Sequence, residues 1–269
     1  MAHIHSTTYG ETRLRLLRVL RRGDRHDPKD VTVSLRLEGG DALPAEPLKN
    51  VVYRVARVQT FPEVEMFALA VADAILKQFP QVTLARIEAS EHVWTRLEAG
   101  GKAQGQAFAP GSGERRNAMI TSNGDKVSVT AGIENLVVMR TSGFRAAHGR
   151  AATTDAQPDG VQPFLVAGLS AKWSYASGEI AFATFRQGVR AAILETFVWH
   201  AAHSLQRTLS NIADVILETY AEIGSVALTA EERPYRPADL LAADGDQLYV
   251  AREEPLGIVE VTVERSALG

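Results

Sequence analysis

The chain has no cysteine among its 269 residues, which excludes disulfides, thiolate metal sites and cysteine nucleophiles together. It has no basic excess either. Lys and Arg total 29 against 32 Asp and Glu, a net charge of -3, so nothing in the balance calls for nucleic acid. No apolar run reaches the length of a membrane span, and the opening "MAHIHSTTYG" has no signal-peptide core, so the expectation is a cytoplasmic protein without a membrane partner. Metal ligands are sparse. His200 and His203 in "HAAH" have no third ligand at metal-binding spacing, His3 and His5 sit in the opening tip, and no metal site is expected. "GGKAQGQ" has glycines but neither the Lys–Ser/Thr pair nor the strand–helix setting of a phosphate loop.

What is present is an ordinary globular mix, 45% hydrophobic and 23% charged, long enough for one large domain or two fused modules. "VTVSLRLEGG" (31–40) alternates cleanly, with Val31, Val33, Leu35 and Leu37 on one face. "TRLRLLRVLRR" (12–22) alternates too, and the turn-rich "GDRHDPKD" between them predicts a hairpin. A helix follows over 60–80, with Thr60 and Glu63 as a capping box, Val64, Phe67, Val71 and Ile75 as its buried stripe, and Pro80 as its stop. Strands are expected near 82–97, 117–122, 126–131 and 133–140, and "EAGGKAQGQAFAPGSGERRN" reads as a Gly-rich surface loop.

The second half repeats the order. Strands near 164–176 precede a helix near 182–199 carrying Val189, Ile193 and Phe197. After a break at 200–203 a second helix carries Leu205, Leu209, Ile212, Ile216 and Tyr220, and strands near 225–229, 247–251 and 257–264 close the chain. Hairpin, helices, hairpin, twice over, predicts a duplicated α+β unit. Half-sheets that cannot close alone point to oligomerisation to cover their edges.

Five stretches in order resemble the uricase (urate oxidase) family: "YGETRLRLLRVLRRGDRH", "KNVVY" (49–53), "RTSGF" (140–144), "TF" (196–197) followed by "SLQRTL" (204–209), and "EEPLGIVEVTVER" (253–265). The resemblance implies an α+β tandem T-fold of two antiparallel-sheet-plus-helices units, over 9–135 and 136–265, assembled as a barrel-forming homotetramer with sites between subunits. It implies a helix starting at 49–58. It also implies chemistry on a flat heterocycle with molecular oxygen and without a cofactor.

Carried over by position, the resemblance assigns substrate binding to Phe144 as a stacking floor, Leu205 as a backbone contact and Gln206 as an edge-reading amide. A planar amide answers a lactam's adjacent donor and acceptor. The chemical half departs from the family. Its lysine is Glu11, its threonine–aspartate pair is Ala45–Glu46, its arginine is Pro163, and its Asn–x–His falls near Glu232 and Pro234. Glu11, Glu46 and Glu232 are therefore the candidate catalytic groups. Arg145, His148, Arg233 and Arg236 are the cations nearest in sequence that could compensate for the lost charge. Loss of one general acid or base costs a factor of about 100 to 10,000 in rate. The expectation is a protein that binds a neutral or cationic purine-like or pterin-like ring with chemistry altered from urate oxidation. The alternatives are a divergent active urate oxidase and an inactive binding or scaffold subunit.

Overall fold

The alternation at residues 31–37 becomes the middle of an antiparallel sheet in the computed structural model, which describes residues 7–141, 144–145, 161–162, 165–176, 180–199, 204–238, 248–252 and 257–265. The strands are β1 (Thr8–Tyr9), β2 (Leu14–Arg22), β3 (Arg25–Glu38), β4 (Leu84–Ala99), β5 (Lys102–Ser122), β6 (Val127–Arg140), β7 (Phe144–Arg145), β8 (Val161–Gln162) and β9 (Leu165–Tyr175). They continue with β10 (Ile223–Glu232), β11 (Tyr235–Pro237), β12 (Tyr249–Ala251) and β13 (Ile258–Glu264). Helices α1 (Ala45–Val58) and α2 (Val64–Gln78) separate β3 from β4, and α3 (Phe182–Trp199) and α4 (Leu205–Thr219) separate β9 from β10. Among the described residues the class is α+β, an antiparallel sheet with four helices. The described residues fall into two compact units, one drawn from Met1–Glu134 and Trp173–Arg186, the other from Asn135–Lys172 and Gln187–Gly269.

In the first unit the strands run in the order β1, β3, β4, β5, β6, with β2 also on β3. Because side chains alternate across a strand, Val31, Val33, Leu35 and Leu37 of β3 share a face with Ala85 and Ile87 of β4 and with Ile120 of β5. Leu48, Val51, Val52 and Val55 of α1, and Phe67, Ala68, Val71 and Ile75 of α2, close over that face in one buried cluster. Full burial of each larger aliphatic contributes about 1.5–3 kcal/mol. In the second unit the later part of β6 is followed by β9, β10 and β13. There α4 packs on β10 and β13, burying Leu205, Leu209, Ile212 and Ile216 with Ile223, Val226 and Leu228. Val189, Ile193 and Phe197 of α3 are buried as their spacing predicts, whereas Tyr220 is the C-cap of α4 rather than part of its buried stripe.

Five local expectations are corrected. The capping box at Thr60 and Glu63 does not form: Glu63 is itself the N-cap of α2 and makes no side-chain cap bond. Its carboxylate is taken instead by the Arg186 guanidinium, which also binds Glu65. A charge-assisted partner outcompetes a backbone N–H. The helix expected from 49–58 begins earlier, at Ala45, with Pro44 as N-cap. The eight-residue link at 23–30 shrinks to a turn at Gly23–Asp24, because Arg25–Asp30 pair with β2.

The expected Gly-rich loop at 98–117 is mostly β5, paired with β4 through two register shifts. The separate strands expected at 126–131 and 133–140 are likewise one, β6. Arg96 fixes the distal end of the β4–β5 arm. Its guanidinium donates to the carbonyls of Gln104 (3.0 Å), Gly105 (2.5 Å) and His26 (2.6 Å) and to Asp27 (2.9 Å), and it lies 4.7 Å over the Phe108 ring. Gly105 is required by close approach, since a Cβ there would stand 2.0 Å from the Asp24 carbonyl oxygen. Glycine in this strand marks backbone packing, not a loop.

The opposite face of β3 is polar. Asp30, only 4% exposed, accepts from Arg15 Nε (3.0 Å) and Nη2 (2.9 Å) and from Trp94 Nε1 (3.1 Å). The bond from Arg15 holds the Asp30 carboxyl below its ordinary value despite desolvation. His92 stands opposite Asp30 in the β3–β4 register, with Nε2 3.0 Å from Thr32 Oγ1. Burial, followed by the Arg15 charge, holds its imidazole below the usual range.

Two outcomes follow from these contacts. Gly105→Ala overpacks the Asp24 turn by about 1–3 kcal/mol, and a thermal melt followed by circular dichroism should fall by several degrees. Asp30 has a depressed folded-state pKa, so its contribution is complete above the unfolded value, near pH 4, and is lost as pH falls through the folded one. Urea unfolding at pH 7 and pH 3 should therefore show a smaller acid loss of stability in Asp30→Asn than in the wild type.

Candidate functional site

The first unit holds two of the places where the sequence departs from its resemblance, Glu11 and Ala45–Glu46. Tyr9 Oη donates to the Gly39 carbonyl at 2.9 Å, and burial, then the Asp41 charge, push its hydroxyl up. At Gly10 a Cβ would stand 2.0 Å from the Leu35 carbonyl oxygen, so the backbone passes β3 only as glycine. The Glu11 carbonyl accepts from the Leu35 N–H at 2.6 Å. Arg13 follows in the left-handed region at φ 60, its N–H donating to Ser34 Oγ at 3.1 Å. Glu11 is thus half-buried on a segment pinned to the sheet at both ends.

Ala45 and Glu46 open α1. Pro44 offers no side-chain cap, and Glu46 in the first turn complements the helix dipole. Its carboxylate lies 3.7 Å from Lys49 Nζ, but at 77% exposure this pair is screened and weak. Lys49 therefore remains a cation one turn along from Glu46.

In the second unit, Ser204 is the N-cap of α4 and its Oγ accepts from the Arg207 N–H at 3.3 Å. The Ser204 carbonyl accepts both the N–H (3.1 Å) and the Oγ1 hydroxyl (3.2 Å) of Thr208. Leu205 is fully buried, which turns the next residue outward, and Gln206 is exposed. First-turn N–H groups have no intrahelical acceptors, so an exposed amide side chain sits next to backbone donors.

Phe144 lies in β7, its backbone paired opposite Gln162, with Arg145 opposite Val161. The side chains of Phe144, Arg145 and Arg236, and the whole of His148, Pro163, His200 and His203, fall outside the described residues, as do His3 and His5. Glu232 ends β10, its N–H donating to the Gly257 carbonyl at 3.0 Å. Arg233 donates from its backbone to Val166 O (2.8 Å) and from Nη2 to Asn135 Oδ1 (2.7 Å), and Pro234 O accepts the Arg252 N–H (2.9 Å). Where the resemblance has Asn–x–His, this chain has backbone pairing and an arginine already engaged.

Glu11 and Glu46 belong to the first unit, and Phe144, Leu205, Gln206 and Glu232 to the second. Leu205 and Gln206 are brought together as one anchor and one exposed amide. Sequence reading missed the charged clusters: Asp30 with Arg15, Glu91 with Lys29 (2.8 Å) and Arg116 (3.6 Å), and Arg186 with Glu63 and Glu65. One signal was available. Glu91 continues the buried face Ala85, Ile87, Ala89 of β4, and a carboxylate at an apolar-face position demands a cation. Among the described residues no group of three or more His, Asp or Glu side chains is arranged to hold a metal ion, and no helix is long and apolar enough to cross a membrane.

The family described as Uricase matches residues 129–260. Similarity extends well beyond that stretch. Uricase of Arthrobacter globiformis is 28% identical, covering 96% of this chain and 88% of that protein. Uricase of Danio rerio is 23% identical, covering 96% and 94%. The crystal structure of the Arthrobacter globiformis uricase superposes with a TM-score of 0.85 at 26% identity, over 99% of this chain and 96% of the other. A uricase structure from Bacillus fastidious, at 17% identity, shares the fold with a TM-score of 0.77 over 96% and 93%. From β1 to β13, in strand order and helix placement, this chain has the fold of the uricases and is similar to them in sequence along nearly its whole length.

Proposed function

We propose that the protein binds a flat purine-like or pterin-like heterocycle at a subunit interface of a homotetramer and acts on it by cofactor-independent chemistry altered from urate oxidation. The observation that carries the reading is the outward amide of Gln206 in the first turn of α4, held there by the buried Leu205 and the Ser204 cap. Gln206 reads the edge of the ring, the Leu205 N–H takes a ring carbonyl, and Phe144 supplies the stacking face. An offset ring stack adds about 0.5–1.5 kcal/mol beyond area burial. In this reading residues 9–135 and 136–265 are the two T-fold units, and molecular oxygen is a candidate co-substrate.

The charge pattern selects the ligand. Glu11 stands where the family has a lysine, and Glu46 and Glu232 add carboxylates. A buried anion needs a cationic partner, so this site favours a neutral or cationic ring over urate. With the proton-handling lysine, threonine and histidine all replaced, Glu11, Glu46 and Glu232 are the candidate acids and bases. A second reading, an active urate oxidase, draws support from similarity to proteins named uricase along nearly the whole chain.

Two measurements separate these readings. Purified protein mixed with urate in metal-free buffer should leave urate's ultraviolet absorbance nearly constant; turnover at the rate of an ordinary uricase establishes the second reading. A thermal-shift screen across purines and pterins should return a selective ligand. Gln206→Ala should then weaken its binding at least tenfold, because loss of an amide contact worth roughly 1–3 kcal/mol leaves the ligand's edge unpaired, with assembly unchanged. A screen with no ligand points to a scaffold subunit instead.

A further inference from the structure

The turn between β5 and β6 brings an asparagine side chain and a glycine nitrogen together. Ser122 and Val127 are the last strand pair of this hairpin, and beyond them the Asn123 N–H donates to the Lys126 carbonyl at 3.2 Å. Of the five asparagines in the chain, only Asn123 precedes a glycine. The others precede Val51, Ala118, Leu136 and Ile212, whose Cβ atoms crowd the backbone nitrogen. Gly124 lies in the left-handed region at φ 93, with nothing within 4 Å of where a Cβ would stand. Its N–H donates to the Ser122 hydroxyl at 3.2 Å rather than to a ladder carbonyl. Asn123 and Gly124 are both exposed.

The Asn123 amide is activated where it stands. Its Oδ1 accepts the Lys126 N–H at 2.7 Å and the Asp125 N–H at 3.1 Å. Two backbone donors on one carbonyl oxygen act as an oxyanion hole, stabilising the charge that grows there in a tetrahedral intermediate. Gly124 N attacks Asn123 Cγ, and the new N–Cγ bond closes a five-membered ring. The Cγ–Nδ2 bond then breaks, and Nδ2 leaves as ammonia with the Gly124 proton. Water opens the resulting succinimide at Cγ to give aspartate, or at the main-chain carbonyl to give isoaspartate. Nothing is oxidised or reduced, and water is the one co-reactant.

We propose that Asn123 is a self-modification site of the folded chain, converted through a succinimide with Gly124 to aspartate and isoaspartate. Either product adds a negative charge to the turn, and isoaspartate also inserts a carbon into the main chain beside the Ser122–Val127 pair. The full chain is incubated at pH 9 in heavy-oxygen water, with circular dichroism confirming that it stays folded. Mass spectrometry of its peptides should then find the oxygen label at Asn123 well ahead of the other four asparagines. Asn123→Gln moves the reacting carbonyl one bond further from the Gly124 nitrogen. Misplacement by about 1 Å costs about a hundredfold, so labelling at this position should slow by about that factor. A folded wild type with no label at Asn123, or with label there no sooner than at the other asparagines, overturns the proposal. Undiminished labelling in Asn123→Gln overturns it too. The wild-type measurement decides the matter even if the variant does not fold.

Discussion

The apolar face of β3 against α1 and α2 is the constraint on which the first unit depends. Val33, Leu35 and Leu37 are wholly enclosed, and each faces a helix rather than another sheet. That burial fixes the strand, and the strand in turn fixes what lies against its edge. The backbone of residues 9–11 follows β3 so closely that Gly10 admits no side chain and the Glu11 carbonyl closes a short bond to Leu35. The path of residues 9–11, and with it the place of Glu11, is therefore set by core packing.

Charge inside this fold is handled by a few long-range pairs rather than by exclusion. Asp30, Glu91 and Glu65 are all buried, and each meets an arginine or lysine from another element. Where both partners are buried, as in Arg186–Glu65, removing one leaves an uncompensated charge, at about 3–5 kcal/mol. These pairs also explain local departures from propensity. Glu63 abandons its own helix terminus because Arg186 offers more than a backbone amide does.

Periodicity made the core legible, and it did so where one face is buried and the other wet. β3, α2 and α4 read correctly from spacing, down to Ile75 and Ile216. It failed where the backbone itself is the contact surface. The glycines of 98–117 read as a loop because a strand packed on another chain segment through glycine has no side-chain pattern to show. The candidate site residues were legible only by position within the resemblance. Leu205 and Gln206 fall where the helix break predicts, whereas the clusters around Asp30 and Arg186 join residues 15 to 123 apart in sequence, which no local pattern reveals.

The neighbours Leu205 and Gln206 divide two kinds of selection between them. Leu205 is locked by the core of its unit, so any change there is judged first by folding. Gln206, one residue on, faces outward from a turn already capped by Ser204 and carries no share of that packing. Exchanging the amide for another polar side chain costs the unit almost nothing in stability. The start of α4 is thus a place where surface chemistry can change while the scaffold stays constant.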